Sequence, residues 1–375
     1  MRIAIVHEWF TQWSGSEQVL EQMLACFPEA DLFAVTSSPD RQGAQVLGER
    51  RIRTSFVQKL PFGRRLPQLW LPILPLAIEQ LDLRGYDLVI SNSHCVAKGV
   101  ICSPYTRHLA YVHSPMRYAW DLRQEYAAKL PFVVRSIWNY AMHRLRSWDA
   151  LSAMRPDALA CNSHYIASRI RHAWNRPSTV IYPPVDVASF SPGGGERDDV
   201  YISVSRMVPY KRMVVIARAF SRMPKRTLHM IGTGSEYREI QEIAAKHKNI
   251  RLLGHVSRAD LIYRLGRARA FIFAAEEDFG IAPVEAQACG TPVIAFARGG
   301  ATESVIPGVT GLFFHEQSES AIIEAVDAFE QRASFDPDEC RKNAEAFSIV
   351  MFRERFLAWV SANAPLSEVA QSHRR

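Results

Sequence analysis

Short apolar runs alternate with longer segments of helical spacing along most of the chain. A short apolar run between amphipathic segments is typical of a strand in a parallel sheet that helices cover on both faces. The pattern therefore predicts repeated β-α-β units. The predicted strands form two groups, at 3–6, 32–35, 88–91, 109–113, 158–161 and 180–182, and at 200–205, 228–231, 251–253, 271–274, 293–295 and 311–314.

A stretch rich in proline and glycine separates the two groups of strands. It runs from Tyr182-Pro-Pro-Val-Asp186 to 191–196, and such residues continue neither a helix nor a ladder of paired strands. We therefore expect a hinge between two doubly wound α/β domains, of residues 1–184 and 185–349. The helical spacing of apolar residues after Phe347 predicts a last helix, within about 350–375, that packs back on the first domain.

Length and composition favour a two-domain globular protein. The chain has 375 residues, of which 48% are hydrophobic and 22% are charged. No apolar run approaches the roughly 20 residues of a membrane-spanning helix, and the run at 3–6 is too short for a signal peptide. The six cysteines are scattered without a CxxC pair, which is typical of reduced thiols. We therefore expect a cytoplasmic protein.

The excess positive charge lies entirely in the first half. Residues 1–185 contain 21 lysines and arginines against 14 acidic residues, whereas residues 186–375 contain 24 of each. The segment 59–76 mixes basic and large apolar side chains, which suggests a surface that rests on an anionic membrane or binds a lipid-linked acceptor. The alternative is a proline-broken connection packed into the first domain, with Arg64 and Arg65 in solvent. No nucleic-acid-binding motif accompanies the charge.

Candidate chemistry follows the predicted strands, because ligands of open α/β sheets bind beyond the carboxyl ends of the strands. The first strand is followed by His7 and a loop with Gly15, where backbone amides can approach a phosphate. In the second half, Arg206 and Lys211 lie where a diphosphate needs two cations. The alternative is a pair of solvated basic residues. The loop with Gly232 is a further site of close backbone approach.

The segment 275–294 carries the most specific pattern. It predicts a strand, an acidic loop with Glu277, a helix that contains Glu285, and a second buried strand. Carboxylates in these positions accept hydrogen bonds from sugar hydroxyls, and the amides of Gly280 and Ile281 face a phosphate. Compensation of the helix dipole explains one glutamate near a helix start, worth about 0.3–1 kcal/mol, but not the whole arrangement.

These residues resemble the donor-binding signature of the retaining glycosyltransferases of family 4, which have the GT-B fold of two Rossmann-like domains that face a cleft. The similarity rests on Arg206 and Lys211, on the spacing from Glu277 to Glu285, and on the sequence 288–293. It implies that Glu285 binds the ribose and Glu277 binds the transferred sugar. The other donor-binding positions that it implies are Gly15, Arg206, Lys211, Gly232, His255, Val256, Phe279, Gly280 and Ile281.

The segment 111–121 is similar to a bacterial branch of mannosyltransferases that build O-antigen (lipopolysaccharide) and exopolysaccharide units. The resemblance implies that His113 faces the reacting sugar and is catalytic together with Glu277, Arg206 and Lys211. A packed or water-facing imidazole is the alternative for His113. For the acceptor, the candidates are His7, His94, Lys98 and Arg117. One departure is Ser14-Gly15, where the family often has paired glycines.

The implied reaction moves a hexose, first of all mannose from GDP-mannose, to a glycan on a polyprenyl diphosphate at the cytoplasmic face of the inner membrane. It needs no cofactor and no metal. No carboxylate stands out as a nucleophile, which favours attack on the face that the leaving group departs from. The alternatives are a UDP-sugar donor, a nucleotide-sugar epimerase and a catalytically silent binding subunit. A metal-dependent enzyme is disfavoured, because the sole Asp-x-Asp, Asp336-Pro-Asp338, indicates a helix N-cap.

Overall fold

The computed structural model describes residues 1–11, 13–121, 124, 127, 131–193, 197–332 and 334–364. The chain forms two compact units. The first contains Met1–Tyr182 and the described residues from Phe352 onward, and the second contains Pro183–Met351. Of the predicted last helix, 365–375 lies outside the described residues, as does 194–196 of the predicted hinge.

The first unit is built on a seven-stranded parallel sheet in the order β3-β2-β1-β4-β5-β6-β7. Its strands are Ile3–Phe10 (β1), Asp31–Ser37 (β2), Ile52–Thr54 (β3), Leu88–Ser93 (β4), Arg107–Val112 (β5), Ala158–Cys161 (β6) and Thr179–Val180 (β7). Its helices are Gly15–Cys26 (α1), Arg41–Leu47 (α2), Leu74–Glu79 (α3), Phe132–Ser152 (α4), His164–Trp174 (α5) and, at the C-terminus, Ile349–Asn363 (α13).

The second unit is built on a six-stranded parallel sheet in the order β10-β9-β8-β11-β12-β13. Its strands are Val200–Val204 (β8), Thr227–Ile231 (β9), Ile250–Gly254 (β10), Ala270–Phe273 (β11), Val293–Phe296 (β12) and Gly311–Phe314 (β13). Its helices are Met213–Ser221 (α6), Tyr237–Lys246 (α7), Arg258–Arg267 (α8), Ile281–Ala288 (α9), Ala301–Ser304 (α10), Glu319–Glu330 (α11) and Pro337–Glu345 (α12).

The predicted α/β fold class is therefore confirmed, with two departures at strand level. β3 was not predicted, because Ile52-Arg-Thr54 has a single large apolar residue and pairs at the sheet edge. β1 runs to Phe10, well past the predicted end, because His7 and Glu8 are fully buried polar residues in mid-strand. The Asp-x-Asp sequence is an N-cap as expected, since the Asp336 carboxylate accepts a hydrogen bond from the amide of Asp338 at 2.8 Å.

Side chains of β1 point alternately to the two faces of the first sheet, as the strand period of two requires. Ala4 and Val6 enter one core cluster, and Ile5 enters the cluster on the other face. The last helix, α13, belongs to the cluster of Ile5, where Phe352 and Phe356 stack with their ring centroids 5.5 Å apart. Burial of one such aromatic side chain stabilises a fold by about 1.5–3 kcal/mol relative to exposure.

The proline-rich segment 59–76 is partly packed and partly exposed. Leu71 and Leu74 are buried in the cluster that contains Ala4, whereas Phe62, Leu66 and Leu69 are 69%, 50% and 63% exposed. Part of the segment is thus packed into the first unit, and the membrane or acceptor surface stays a prediction for its exposed residues. Within the part of the chain that the structure describes, no helix has both the length and the hydropathy that crossing a bilayer requires.

We expect Phe356→Ala to lower the free energy of unfolding of the first unit by about 3–5 kcal/mol, since it leaves a cavity between α13 and the sheet. Leu357→Ala is the matched control, because Leu357 is 40% exposed and its truncation creates no enclosed cavity. Hydrogen exchange of the β1 amides in the full-length chain reports the stability of this unit. Equal exchange in both variants would contradict the assignment of α13 to this core.

Candidate functional site

The order of the second sheet places a switch point between β8 and β11, where the connections leave in opposite directions along the sheet. Open α/β sheets bind ligands at the carboxyl ends of the strands that flank such a point. Lys211 comes from the connection after β8, and Glu277 comes from the loop after β11. Their side chains form an ion pair and are only 13% and 17% exposed. The structure thus brings together one predicted cation and one predicted carboxylate.

Arg206 lies in the same connection as Lys211 and is exposed. Its guanidinium donates a hydrogen bond to the hydroxyl of Tyr210 at 2.8 Å, and the ring of Tyr210 lies 5.3 Å from the Lys211 ammonium. Tyr210 therefore contacts both cations. The sequence interpretation did not include this residue, because a tyrosine beside a proline and a lysine has no distinctive spacing.

Glycines hold the loops of this site together by close backbone packing. A Cβ on Gly232 would lie 1.9 Å from the carbonyl oxygen of Ser205. Because Gly232 has no side chain, the loop that contains Arg206 can pack directly against its backbone. The packing of the two loops is thus one reason for a glycine at 232, and its role towards a phosphate stays a prediction. Gly299 and Gly300 were missed and act in the same way below the loop of Glu277. A Cβ on Gly300 would lie 2.1 Å from the Cα of Phe279.

Gly280 is the N-cap of α9 and has a φ of 85°, a conformation that favours glycine. No side chain caps this helix, so no cap occupies the position of an anion at its N-terminus, and binding of a phosphate by the Ile281 amide stays a prediction. Phe279 is different from the expectation, since its side chain is 3% exposed and packs against Phe347 with ring centroids 5.4 Å apart. A donor would contact only its backbone.

Glu285 lies in the second turn of α9 and is half-buried. Burial raises the pKa of its carboxyl to about 7, while the Arg258 guanidinium lowers the pKa and Asp186 raises it. The Arg258 guanidinium donates a hydrogen bond of 2.7 Å to the carboxylate of Asp186, at the start of this unit.

His255 and Val256 follow β10, which β9 separates from β8.

The first sheet has its own switch point, between β1 and β4. Three predicted residues, His7, His94 and His113, lie close together there and are called the histidine cluster below. The ring centroids of His7 and His94 are 6.4 Å apart, and those of His94 and His113 are 6.5 Å apart. His7 is fully buried, whereas His94 and His113 are half-buried.

Asn92 and Glu17 connect the histidine cluster and were missed by the sequence interpretation. The amide oxygen of Asn92 lies 2.6 Å from Nε2 of His113, and its amide nitrogen lies 3.1 Å from Nδ1 of His7. Nε2 of His7 lies 3.2 Å from the carboxylate of Glu17. Burial raises the pKa of Glu17, but the His7 ring and the Ser14 hydroxyl outweigh it and hold this pKa well below its usual range.

Glu17 also changes the interpretation of Gly15. The Glu17 carboxylate accepts hydrogen bonds from the amide and hydroxyl of Ser14 at 3.0 and 2.7 Å and so closes the N-terminus of α1. A phosphate beside Gly15 would meet this buried negative charge. The approach of a diphosphate to this loop stays a prediction, which the Glu17 charge makes electrostatically less favourable.

Glu8 organises the loop after β4. Its buried carboxylate accepts hydrogen bonds from the Ser93 hydroxyl and from the amides of His94, Cys95, Val96 and Ala97, at 2.7–3.0 Å. Burial raises its pKa, but the His94 charge and the backbone amides outweigh it, so the net pKa is lowered. Glu8 thus positions His94.

Lys98 is a further correction. Its side chain is 1% exposed, and its ammonium lies 2.5 Å from the Asp149 carboxylate and 3.1 Å from the carbonyl of Cys95. The same carboxylate accepts hydrogen bonds from the indoles of Trp120 and Trp174, both at 2.8 Å. Lys98 is therefore part of a buried network and does not face an acceptor phosphate.

Arg117 is half-buried in the loop after β5.

Two family models match consecutive parts of the chain. The model of Glycosyltransferase Family 4 matches residues 13–189, and that of Glycosyl transferases group 1 matches residues 186–347. Together they cover residues 13–347, which include every described strand except β1.

Curated relatives match the chain at moderate identity. A D-inositol 3-phosphate glycosyltransferase of Corynebacterium glutamicum is 28% identical over 57% of this chain and 56% of the relative. A GDP-mannose-dependent monoacylated alpha-(1-6)-phosphatidylinositol monomannoside mannosyltransferase of the same species is 31% identical, over 42% of this chain and 48% of the relative. The chain thus spans about half the length of these two relatives.

Solved structures resemble the chain over almost its whole length. Anabaena Alr3699/HepE in complex with UDP and glucose has a TM-score of 0.68 and 17% identity, over 95% of this chain and 99% of that chain. The lipopolysaccharide outer core galactosyltransferase WaaB has a TM-score of 0.66 and 17% identity, over 98% and 100%. At these identities the likeness establishes the fold alone.

The raised pKa of Glu285 predicts a pH-dependent gain in stability on Glu285→Gln. Between the ordinary pKa of 4.5 and about 7, folding keeps the carboxyl protonated, so ionisation at higher pH costs the folded state free energy. From pH 5 to pH 8 the unfolding free energy of the variant should rise by about 2–3 kcal/mol relative to wild type. Hydrogen exchange at α9 measures this, with Glu324→Gln, at an exposed position, as the control. A difference independent of pH would contradict the shift.

Proposed function

Because the chain belongs to glycosyltransferase family 4 and has its GT-B fold, we propose that it transfers a hexose from a nucleotide-diphosphate sugar to a lipid-linked glycan. The observation that carries this proposal is the Lys211–Glu277 ion pair at the switch point of the second sheet. A cation and a carboxylate held side by side match the two ends of a sugar diphosphate. Lys211 binds the phosphate, and Glu277 accepts hydrogen bonds from the sugar hydroxyls.

The leaving diphosphate gains negative charge as the glycosidic bond breaks. Arg206 and Lys211 supply two positive charges, and the uncapped N-terminus of α9 supplies the amide of Ile281. Because these groups are fixed before the reaction, they stabilise the transition state without reorganisation. Glu285 accepts hydrogen bonds from the ribose hydroxyls, and because an ionised carboxylate accepts them more strongly than a protonated carboxyl, nucleotide binding should strengthen through pH 7.

We propose that the acceptor hydroxyl attacks from the face that the diphosphate leaves, and that a phosphate oxygen takes its proton. The configuration of the sugar is then retained without a covalent intermediate. The structure supports this step through the two buried carboxylates of the first switch point. Glu8 is saturated by five hydrogen bonds and Glu17 by contacts with His7, Ser14 and Ser16, so neither is available as a nucleophile.

For the donor, we propose GDP-mannose, on the basis of the corynebacterial relative, whose name specifies GDP-mannose as its donor. A UDP-sugar is the second candidate, because structures of Anabaena Alr3699/HepE contain UDP or UDP-glucose. The contacts of Lys211, Glu277 and Glu285 are to phosphate, sugar and ribose, which both donors share. The choice between them therefore depends on direct measurement.

A panel of radiolabelled nucleotide sugars, incubated with a bacterial membrane extract and a chelator, tests the donor and the site together. We expect transfer of label from GDP-mannose into lipid extracts, and a loss of about 100-fold or more in Glu277→Ala, because one charge-assisted set of hydrogen bonds to the reacting sugar disappears. The control is Glu324→Ala. Transfer unaffected by Glu277→Ala would contradict the site, and transfer from UDP-sugars alone would contradict the donor.

For the acceptor, we propose a polyprenyl-diphosphate-linked glycan of lipopolysaccharide or exopolysaccharide assembly, reached by peripheral binding to the cytoplasmic face of an anionic membrane. The support is a basic apolar surface formed by Lys59, Phe62, Arg64, Arg65, Leu66 and Leu69, all of them exposed. Apolar side chains enter the headgroup region, while the cations stay at the lipid phosphates.

Flotation with vesicles of phosphatidylcholine and phosphatidylglycerol tests the membrane surface. Loss of two cations in Arg64→Ser/Arg65→Ser should weaken partitioning into anionic vesicles by about 30-fold, at about 1 kcal/mol for each cation. Phe62→Ser should also weaken it, since Phe62 is 69% exposed. Tyr263→Ser is the control, because Tyr263 is a 63% exposed aromatic residue of the charge-balanced half. Equal flotation of all variants would exclude this surface.

A further inference from the structure

Asn92 occupies the centre of a continuous chain of polar contacts at the first switch point. The chain runs from the Glu17 carboxylate to His7, then to Asn92, and ends at His113. β1 and β4 hold its centre together, because His7 and Asn92 are paired in register in adjacent strands. The order of the contacts decides where each hydrogen atom lies.

The carbonyl of Ser16 determines the orientation of the Asn92 amide. One atom of this amide lies 2.9 Å from the Ser16 oxygen, and a carbonyl oxygen only accepts hydrogen bonds. That atom must therefore be the amide nitrogen, since an oxygen there would face another oxygen. The amide oxygen is left to face Nε2 of His113 at 2.6 Å.

The same orientation decides the state of His7. The second hydrogen of the Asn92 nitrogen points to Nδ1 of His7 at 3.1 Å, so Nδ1 accepts. The hydrogen of this ring is then on Nε2, where it is donated to Glu17 at 3.2 Å. Glu17 is itself held by the hydroxyls of Ser14 and Ser16 at 2.7 and 2.9 Å. The far end of the chain is thus anchored to the first turn of α1.

At the near end, His113 must donate from Nε2, because the Asn92 oxygen has no hydrogen to give. Nδ1 then keeps its lone pair, and none of the residues that the structure describes donates a hydrogen bond to it. Burial is the largest cause that lowers the pKa of His113 to about 3, and the Glu17 charge only partly opposes it. Tyr111 is a further titratable side chain against this ring, with the ring centroids 5.2 Å apart. The ring stays neutral at physiological pH.

We propose that Asn92 is a positioning residue, which holds His113 in the Nε2-protonated tautomer and so reserves Nδ1 as the acceptor of a hydrogen bond from a sugar hydroxyl. The sugar as the ligand rests on the proposed function, whereas the tautomer rests on the contacts alone. His113 in this state binds and orients a hydroxyl and does not remove a proton from it, because a ring whose pKa burial lowers to about 3 binds a proton only weakly.

Nitrogen NMR of the full-length chain with ¹⁵N-labelled histidine tests the tautomer without any substrate. The His113 signals are identified by their loss in His113→Gln. We expect a protonated Nε2 and a pyridine-like Nδ1 that persist from pH 6 to pH 9. In Asn92→Leu, which removes the acceptor, both tautomers should become populated. A protonated Nδ1 in wild type, or a charged ring at pH 7, would overturn the inference.

Asn92→Asp separates positioning from a merely structural role. A carboxylate beside His113 favours the imidazolium and raises its pKa, and a protonated Nδ1 no longer accepts a hydrogen bond. We expect kcat to fall about tenfold per pH unit below the new pKa and to recover at high pH. Asn139→Asp, at an exposed position of α4, is the control. A loss that is equal at every pH would refute positioning, while absent turnover in wild type would refute only the proposed function.

Discussion

The parallel pairing of all strands is the constraint on which the rest of the structure depends. A parallel strand pairs with its predecessor only after a connection has returned along the face of the sheet, so every strand ends at the same edge. Two residues far apart in sequence therefore meet when their strands are neighbours. Lys211 and Glu277 meet because β8 is next to β11, and His7 and Asn92 meet because β1 is next to β4. Each unit thus carries its chemistry at its own switch point.

The fold stabilises the charge of the carboxylates at the first switch point but not that of Glu285 in the second unit. In the first unit, Glu8 and Glu17 are buried and saturated with hydrogen bonds, which keeps both carboxylates ionised and makes the loops around them rigid. In the second unit, Glu285 has a pKa that burial raises to about 7, so folding alone does not favour its charge. A carboxylate whose charge the fold does not stabilise is suited to binding a ligand that stabilises this charge. A carboxylate whose hydrogen bonds are all made within the protein is suited to holding loops in place.

The sequence interpretation succeeded where a property is local. Strands buried on both faces are short apolar runs, so the fold class and most strands could be predicted, and α9 was predicted as the helix that contains Glu285. It failed where the partner is distant. Glu8 meets the loop after β4 more than eighty positions along the chain, and no spacing shows this. Lys98 was read as a charge available to a ligand, since a sequence gives the charge of a lysine but not its burial beside Asp149.

Glycine is the residue type whose role a sequence shows least, because the space it leaves can be filled by a ligand or by the protein's own backbone. At Gly232, where the sequence predicts the approach of a phosphate, the carbonyl oxygen of Ser205 lies beside the position of a Cβ. Gly299 and Gly300 leave the space that the backbone from Glu277 to Phe279 occupies, and the amide of Gly300 donates a hydrogen bond to the Glu277 carbonyl at 2.8 Å. Glu277, which is proposed to bind the sugar, is therefore held through its backbone by Gly299 and Gly300, while its carboxylate pairs with Lys211. Its backbone is thus held in place, and Lys211, which pairs with its side chain, is itself proposed to bind the diphosphate. A preorganised binding site requires such support for the residues that contact the ligand.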